Sequence, residues 1–153
     1  MVEKETFDPL CLDNQLCFPL YVCAKEIVNK YTPYLNELGL TYTQYITMMV
    51  MWEEKQVVTR HLKERLFLDS GTLTPVLKKL EEKGFVTRRR SEEDARDLIV
   101  TITKAGEDLR KKAVRIPQQV GACISEADEV EDIQKLYELL RNLMDSLRQK
   151  QQY

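Results

Sequence analysis

The stretch Leu68-Asp69-Ser70-Gly71-Thr72-Leu73-Thr74-Pro75 decides the fold, because it marks the start of a helix just after a short turn. Asp69 and Ser70 are residue types that cap helices, since their side-chain oxygens accept hydrogen bonds from the first free amides. Apolar residues then recur at helical spacing until Gly84, namely Leu73, Val76, Leu77 and Leu80. We therefore predict a helix that starts between Ser70 and Thr72, with small hydroxyl side chains at its N-terminus.

A shorter helix is predicted immediately upstream. It is capped by Thr59, ends near Arg65 and is anchored by Leu62 and Leu66. Two helices joined by so short a turn indicate a helix-turn-helix.

Beyond Gly84 the spacing of apolar residues changes from the helical period to the alternation of a strand. Residues 85–89 are predicted to form one strand, and Leu98, Val100 and Ile102 mark a second. A charged loop over 90–97 joins the two strands. A hairpin that follows a helix-turn-helix is a wing.

Helical patterns also precede this region. A long helix is predicted from about Asp13 to Gly39, with Pro19 in its first two turns, where proline costs least. Its apolar side consists of Leu16, Leu20, Ile27, Tyr31, Leu35 and Leu38. Thr41 and Gln44 match a capping box for the next helix. That helix is expected to bury Tyr45, Met48, Met49 and Trp52.

Two more helices are predicted after the wing. Thr103 caps a fifth helix that Pro117 ends or kinks, and residues 125–128 resemble the cap of a last helix. The last helix carries an apolar stripe of Val130, Ile133, Leu136, Tyr137, Leu140, Leu143, Met144 and Leu147.

These elements predict a mostly α fold with a small β-wing. We interpret 1–153 as a single domain, with a winged helix-turn-helix over about 41–102 and dimerisation helices over about 12–38 and 104–149. The first and last helices carry more apolar surface than one small domain needs, which favours a homodimer. The alternative is that these helices cover the core of their own chain.

The start of the fourth helix suits contact with double-stranded DNA, because short polar side chains enter a groove without clashing. Arginines of the hairpin can bind phosphates, although side chains alternate along a strand and Arg88, Arg89 and Arg90 cannot all face DNA. Asp94 is expected to pair with an arginine and hold the shape of the wing. The simpler interpretation is that these residues only cap a helix and form a solvated charged loop. The predicted DNA contacts are Ser70, Gly71, Thr72, Thr74, Lys78, Lys79, Arg88, Arg90 and Arg96.

The composition neither demands nor excludes this function. The formal net charge is −2, but DNA binding depends on the local field at the contact surface. The four cysteines lack zinc-ligand spacing, so neither a metal nor another cofactor is expected. No signal peptide or membrane-spanning run is present, which favours a cytoplasmic protein with reduced thiols. His61, the single histidine, is interpreted as a surface residue.

Four segments resemble one family of regulators: LDNQLCF at 12–18, LTYTQY at 40–45, LDSGTLTP at 68–75 and EEDAR at 92–96. Through them the chain resembles the MarR family of winged-helix regulators, in its organic-hydroperoxide-sensing, OhrR-like branch, over nearly all of residues 10–120. The resemblance implies a triangular homodimer that binds a pseudo-palindromic operator and represses transcription.

Cys17 is the expected sensor of this regulator. It falls in the first turns of the first helix, where amide dipoles favour the reactive thiolate. The resemblance places Tyr31 and Tyr42 at positions from which tyrosines of both subunits hydrogen-bond the sulfur, with Tyr21 nearby. From their hydrophobicity, Phe18, Met48 and Trp52 are interpreted as lining a pocket for an organic peroxide.

Oxidation is expected to give a sulfenic acid and then a disulfide, which releases DNA and derepresses a peroxide-detoxifying gene. The disulfide partner is either a low-molecular-weight thiol or Cys123, since some family members have a resolving cysteine in that region. Cys11 is a weaker candidate, and Cys23 is expected to be structural because a helix turns it away from Cys17. Without the resemblance, Cys17 would be interpreted as a small buried hydrophobe.

Two other functions remain open at this point. One is a MarR-type regulator that responds to a non-covalently bound small molecule, such as a phenolic compound, in the same inter-subunit pocket. The other is a thiol peroxidase that uses Cys17. The sequence has no Cys-x-x-Cys or peroxidase motif, so the chain is expected not to be an enzyme.

Overall fold

The computed structural model describes residues 8–92, 97–124 and 130–150, and it describes no side chains at 122–124, 130–131 and 149–150. A short 3-10 helix, Leu12–Asn14, comes first. The remaining elements are α1 (Cys17–Glu37), α2 (Tyr42–Glu54), β1 (Gln56–Val58), α3 (Thr59–Leu66), α4 (Ser70–Glu82), β2 (Val86–Arg90), β3 (Leu98–Ile102), α5 (Lys104–Ala113), α6 (Ile116–Ile124) and α7 (Val130–Lys150).

The first helix begins at Cys17, so the predicted start near Asp13 is wrong. The Asn14 and Gln15 side chains donate to the backbone carbonyls of Asp8 and Pro9, and these local bonds hold the preceding segment in turns. Pro19 lies in the first turn of α1, as predicted, where its missing N–H costs little.

Both α1 and α4 end at a glycine with a left-handed backbone. The Leu40 amide bonds the Leu35 carbonyl at 2.9 Å after Gly39 (φ 64°), and the Phe85 amide bonds the Leu80 carbonyl at 3.0 Å after Gly84 (φ 74°). These are the bonds of Schellman motifs, which satisfy the last carbonyls of a helix. The predicted stop signals at the two glycines are therefore confirmed.

The second helix opens with the predicted capping box. Thr41 Oγ1 accepts from the Gln44 amide, and Gln44 Oε1 accepts from the Thr41 amide, both at 3.3 Å. Tyr45, Met48 and Trp52 are buried as expected, but Met49 is 46% exposed and that expectation is wrong. The buried arc of α2 extends instead through Gln44, Thr47 and Met51, because α2 packs against α1, α3, α4 and α5 on several sides.

A three-stranded antiparallel sheet, in the order β1-β3-β2, contains a strand that the sequence did not indicate. Its first strand, β1, pairs Val57 with Val100 of β3. The second strand starts at Val86, one residue later than predicted. Thr59 lies inside α3 and does not cap it, because its hydroxyl oxygen accepts from the Leu98 amide at 3.3 Å. The sheet thus joins the start of the helix-turn-helix to the base of the wing.

Helix α5 contacts α2 at Gly106. Thr103 caps it as predicted, with its Oγ1 accepting from the Gly106 amide at 3.1 Å. Trp52 Nε1 donates to the Gly106 carbonyl at 2.7 Å. A Cβ at Gly106 would stand 2.2 Å from the Phe85 carbonyl oxygen, so only glycine allows this close approach.

The chain divides into two compact units, the first ending at Ile116 and the second beginning at Pro117. The fifth helix ends at Ala113, and Pro117 lies in the first turn of α6. The cap predicted over 125–128 lies outside the described residues. Among the described helices none is long and apolar enough to cross a membrane.

Candidate DNA-reading surface and thiol site

The N-terminus of α4 is capped by Asp69, whose two carboxylate oxygens both bind Thr72. Oδ1 accepts from the Thr72 amide at 2.9 Å, and Oδ2 accepts from the Thr72 hydroxyl at 2.8 Å. The side-chain bond from Thr72, followed by the backbone bond, lowers the pKa of the Asp69 carboxyl. The Thr72 hydroxyl hydrogen is therefore used by the cap, while its oxygen lone pairs and methyl group remain available to a ligand.

The small side chains predicted to enter a groove lie together at this end of α4. Ser70, Gly71, Thr72 and Thr74 are all exposed. Lys63 of α3, which was not among the predicted contacts, donates to Ser70 Oγ at 3.2 Å. The first turn of α4 therefore has a cation beside it, and this contact depends on the packing of α3 against the turn.

Further along α4, the side chains of Lys78 and Lys79 are exposed. Lys78 Nζ lies 3.9 Å from Glu82 Oε1, one helical turn away. Exposed ion pairs of this kind are weak, so this contact does not prevent Lys78 from reaching a phosphate.

The three arginines of β2 have different surroundings. The Arg88 guanidinium lies against α4, where Nε and Nη2 donate to Glu81 Oε2 at 2.9 and 2.7 Å. Arg89 and Arg90 are exposed. These two donors of Arg88 hold the wing against α4, and the DNA contact of Arg88 stays a prediction.

The base of the wing is fixed by a second ion pair, between Arg60 of α3 and Asp97. The Ser91 amide also donates to the Asp97 carbonyl at 2.9 Å, which closes the described part of the loop. The predicted wing residues Asp94 and Arg96 lie outside the described residues.

The predicted thiol site is at Cys17, the first residue of α1. Cys17 is exposed and free, and Leu16 at the N-cap position provides no side-chain hydrogen bond to the first amides. The dipole of a helix N-terminus favours a negative sulfur at this position. Tyr21 follows one turn later and is 64% exposed.

The tyrosines predicted to bind the sulfur form a cluster near the other end of α1. The ring centroid of Tyr31 lies 5.3 Å from that of Tyr42 and 5.8 Å from that of Tyr45, and Tyr45 contacts Trp52 at 6.1 Å. Burial, together with the neighbouring phenols, raises the pKa of Tyr42 and raises that of Tyr45 to about 12. Tyr42 and Tyr45 therefore keep neutral hydroxyl donors across the physiological range.

A single chain does not bring Cys17 and Tyr31 together. They are residues of one continuous α-helix, Cys17–Glu37. With a rise of about 1.5 Å per residue, the fourteen steps between them correspond to roughly 21 Å. A contact between the Cys17 sulfur and Tyr31 thus requires the two residues to come from different chains.

The pocket predicted from Phe18, Met48 and Trp52 stays a prediction, and the three residues differ in exposure. Met48 is fully buried in the core, and Trp52 is used by its bond to Gly106. A cavity of about 380 Å³ lies elsewhere, where the end of α1 meets β2 and α5. Its lining is partly charged, comprising Glu37, Leu38, Phe85, Ala105, Asp108, Leu109 and Lys112.

Two of the remaining cysteines and the histidine are surface residues. Cys11 and Cys23 are exposed and free, and the side chain of Cys123 lies outside the described residues. His61 is a surface residue, as predicted, and its Nε2 lies 3.0 Å from Glu54 Oε1. In the part of the chain that the structure describes, no cluster of His, Cys, Asp and Glu has the form of a metal site.

Sequence comparison places this geometry among known regulators. The profile of the family described as "Transcriptional regulator SarA/Rot" matches residues 29–113. The organic hydroperoxide resistance transcriptional regulator of Bacillus subtilis (strain 168) is 41% identical over 147 residues, which cover 96% of this chain and 99% of that protein.

Solved structures agree with the sequence comparison. The structure of reduced AbfR bound to DNA has a TM-score of 0.73 at 34% identity, covering 89% of this chain and 94% of that one. Disulfide-formed AbfR is also 34% identical but has a TM-score of 0.61, covering 87% of this chain and 92% of that one. AbfR is a protein of Staphylococcus epidermidis. The TM-score is thus higher against the reduced, DNA-bound form of AbfR than against its disulfide form.

Proposed function

The chain belongs to the SarA/Rot family of MarR-type winged-helix transcriptional regulators, in the OhrR-like branch, and we propose that it represses transcription until an organic hydroperoxide oxidises Cys17. The observation that carries this proposal is the position of Cys17. It is an exposed thiol at the first residue of α1, in a chain that also carries an exposed recognition helix. A regulator of this kind acts on chromosomal DNA in the cytoplasm.

The reduced protein holds DNA through α4 and the wing. Ser70, Gly71, Thr72 and Thr74 enter the major groove, with hydroxyl groups available to base edges or phosphates. Lys78, Lys79 and Arg90 bind phosphates outside the groove. Arg96 remains a proposed contact of the wing tip with the minor groove, and Asp94 a proposed partner that holds the wing's shape.

A homodimer supplies two such reading surfaces. Helices α1 and α7 each expose large apolar side chains. In α1 these include Phe18, Tyr21, Val22 and Ile27, beside the exposed N-cap residue Leu16. In α7 they include Ile133, Leu136, Tyr137, Leu139, Met144 and Leu147. Burying them against a second copy removes apolar surface from water. The resulting two-fold symmetry matches a pseudo-palindromic operator, with half-sites about 34–36 Å apart.

The same dimer explains the distance between Cys17 and the tyrosine cluster. Since Tyr31 lies about 21 Å along the helix from Cys17 of its own chain, the cluster serves the sulfur of the partner chain. Tyr31 and Tyr42 of one chain then donate hydrogen bonds to the thiolate of the other, with Tyr21 nearby. Such donors stabilise the thiolate, which is the reactive form.

The proposed reaction is a two-electron oxidation of sulfur. The Cys17 thiolate attacks one peroxide oxygen, so an S–O bond forms as the O–O bond breaks and the alkoxide leaves as an alcohol after taking a proton. A second thiol then displaces water from the sulfenic acid and forms a disulfide. That thiol is either a low-molecular-weight thiol or Cys123 of the partner chain. The disulfide at Cys17 is larger than the thiol and shifts the start of α1, which changes the distance between the two α4 helices of the dimer.

The test is a DNA titration with a duplex selected from a random pool by the reduced protein. Cumene hydroperoxide should weaken binding by wild type at least about tenfold, a modest coupling free energy. Cys17→Ser should bind the same duplex and be insensitive to the peroxide, whereas Cys23→Ser, the matched control, should respond as wild type does. Equal weakening of Cys17→Ser, or no weakening of wild type, rules out the switch.

Mass spectrometry of the oxidised protein distinguishes the two thiol partners. A Cys17–Cys123 peptide that links two chains supports the resolving-cysteine route. A mixed disulfide formed with added cysteine supports the low-molecular-weight route. Turnover of the peroxide by catalytic amounts of protein would support the alternative of a thiol peroxidase.

A further inference from the structure

One lysine connects the C-termini of the two helices on which the proposed switch depends. Lys83 is the C-cap residue of α4, and its ammonium group donates to the carbonyl of Gly39, which ends α1. The same Nζ donates to Gln44 Oε1 at 2.8 Å. Lys83 therefore contacts the end of α1 and the start of α2 from the end of the recognition helix.

Electrostatics favours an ammonium group at this position. The carbonyl groups at a helix C-terminus carry partial negative charge, and a cation near them is stabilising. Lys83 belongs to the C-terminus of α4 and reaches the C-terminus of α1, so its charge lies near the negative ends of two helices. Schellman motifs at Gly39 and Gly84 satisfy the last carbonyls of both helices and fix the path of the chain there.

Gln44 extends this contact into the hydrophobic core. Its side chain is only 2% exposed, and its Oε1 accepts both from Lys83 and from the Thr41 amide of the capping box. Tyr42, in the first turn of the same helix, contacts Tyr31 of α1. The Lys83 contact and the aromatic cluster thus meet within the first turn of α2.

We propose that Lys83 is a positioning residue that couples movement of α1 to the orientation of α4. This inference rests on the proposed function, because it takes oxidation at the first residue of α1 as the source of that movement. When the end of α1 shifts, the bonds from Lys83 to Gly39 and Gln44 draw the C-terminal end of α4 with it. Without the ammonium group, α4 retains its fold and its groove contacts, but a movement of α1 changes the orientation of α4 less.

The experiment measures the dissociation constants of reduced and peroxide-treated homodimers on the selected duplex and compares their ratio. Lys83→Met removes the ammonium group and keeps most of the apolar stem, while Lys83→Arg keeps donors for both acceptors. Lys112→Met on α5 is the matched control for the loss of one positive charge. Thermal unfolding of each reduced variant checks the fold.

We expect reduced Lys83→Met to bind the duplex with a dissociation constant within about threefold of that of wild type. The ratio of its oxidised to its reduced dissociation constant should be about tenfold smaller than in wild type. Lys83→Arg should restore the ratio, and Lys112→Met should leave it unchanged. A Lys83→Met ratio equal to that of wild type overturns the coupling role alone. A loss of affinity in both redox states at an unchanged ratio shows a merely structural lysine and also overturns it. If wild type itself does not respond to the peroxide, the proposed function fails and this inference fails with it.

Discussion

Glu81 of α4 and Arg88 of β2 are joined by three hydrogen bonds that use both carboxylate oxygens. Oε1 accepts from the Arg88 amide at 2.9 Å, and Oε2 accepts from Nε and Nη2 of the guanidinium. Because one of these donors belongs to the backbone, the carboxylate fixes the path of the strand as well as its side chain. The angle between wing and recognition helix therefore depends on this pair.

Replacing Glu81 by Gln should weaken DNA binding, although Glu81 itself is not a proposed DNA contact. The expected loss is about tenfold, the cost of losing a charge-assisted, two-oxygen contact with arginine. Arg88→Lys should behave similarly, because one ammonium group cannot reproduce the paired geometry. DNA titration together with thermal unfolding measures both effects. Wild-type affinity in Glu81→Gln would show that the wing needs no such support.

The hydrogen-bonded pair of Glu81 and Arg88 predicts that the free energy of unfolding depends on pH in the acid range. The hydrogen bond from the Arg88 side chain lowers the pKa of Glu81 below its ordinary 4.5. The contribution of the pair to the free energy of unfolding is therefore present above pH 4.5 and is lost as the pH falls through the lowered pKa. In Glu81→Gln, chemical denaturation between pH 5 and 3 should show a shallower decline than in wild type. Identical declines in the two proteins would contradict this assignment.

Arg90 should contribute to affinity through a phosphate and not through base recognition. Arg90→Ala is expected to reduce the slope of log K against log salt concentration by about one, with no change in the preferred sequence. Arg110→Ala on α5 removes the same charge away from the wing and should keep the wild-type slope. A changed sequence preference in Arg90→Ala would instead place this side chain at a base edge.

Gly106→Ala should be the most damaging single-methyl change in the chain. The new Cβ would meet the Phe85 carbonyl oxygen at 2.2 Å and the Ile102 side chain at 2.8 Å. We expect the free energy of unfolding to fall by about 1–3 kcal/mol or more, since overpacking forces the backbone to shift. Gly121→Ala is the matched control because nothing lies within 4 Å of its added Cβ. Comparable losses in both variants would indicate a general helix effect.

Tyr45 predicts a loss of stability at alkaline pH. Burial raises its pKa from 10.0 to about 12, so the folded state keeps its proton where the unfolded state has lost it. The associated stabilisation is complete below pH 10 and disappears as the pH rises toward 12. Denaturant midpoints between pH 9 and 12 should fall less steeply in Tyr45→Phe than in wild type. Equal slopes would mean that Tyr45 ionises normally.

Local signals in the sequence predicted most of the fold. The capping boxes and caps at Thr41, Asp69 and Thr103, and the glycine stops at Gly39 and Gly84, each depend on residues within one turn. Such interactions need no knowledge of the rest of the chain. For this reason the helix-turn-helix and the position of α4 could be inferred correctly, whereas α6 was not predicted as a helix separate from α5.

Other features of the structure depend on contacts between distant segments and could not be predicted. Strand β1 is too short to show alternation and exists through its pairing with β3. The pair of Glu81 and Arg88 has no local signal in the sequence, because only the packing of β2 on α4 brings the two residues together. Pro33 lies in the interior of α1, and the helix continues through it although proline has no backbone N–H to donate.

At the base of the wing, β3 is bonded to β1 along one edge and to β2 along the other, and Asp97 is held by Arg60. Because these bonds hold the base, we expect changes in the length of the connecting loop to leave α4 in place. Insertions there would change how far the wing extends along the DNA, while the contacts in the major groove stay the same. We therefore expect the length of this loop to alter operator preference without altering the contacts of α4.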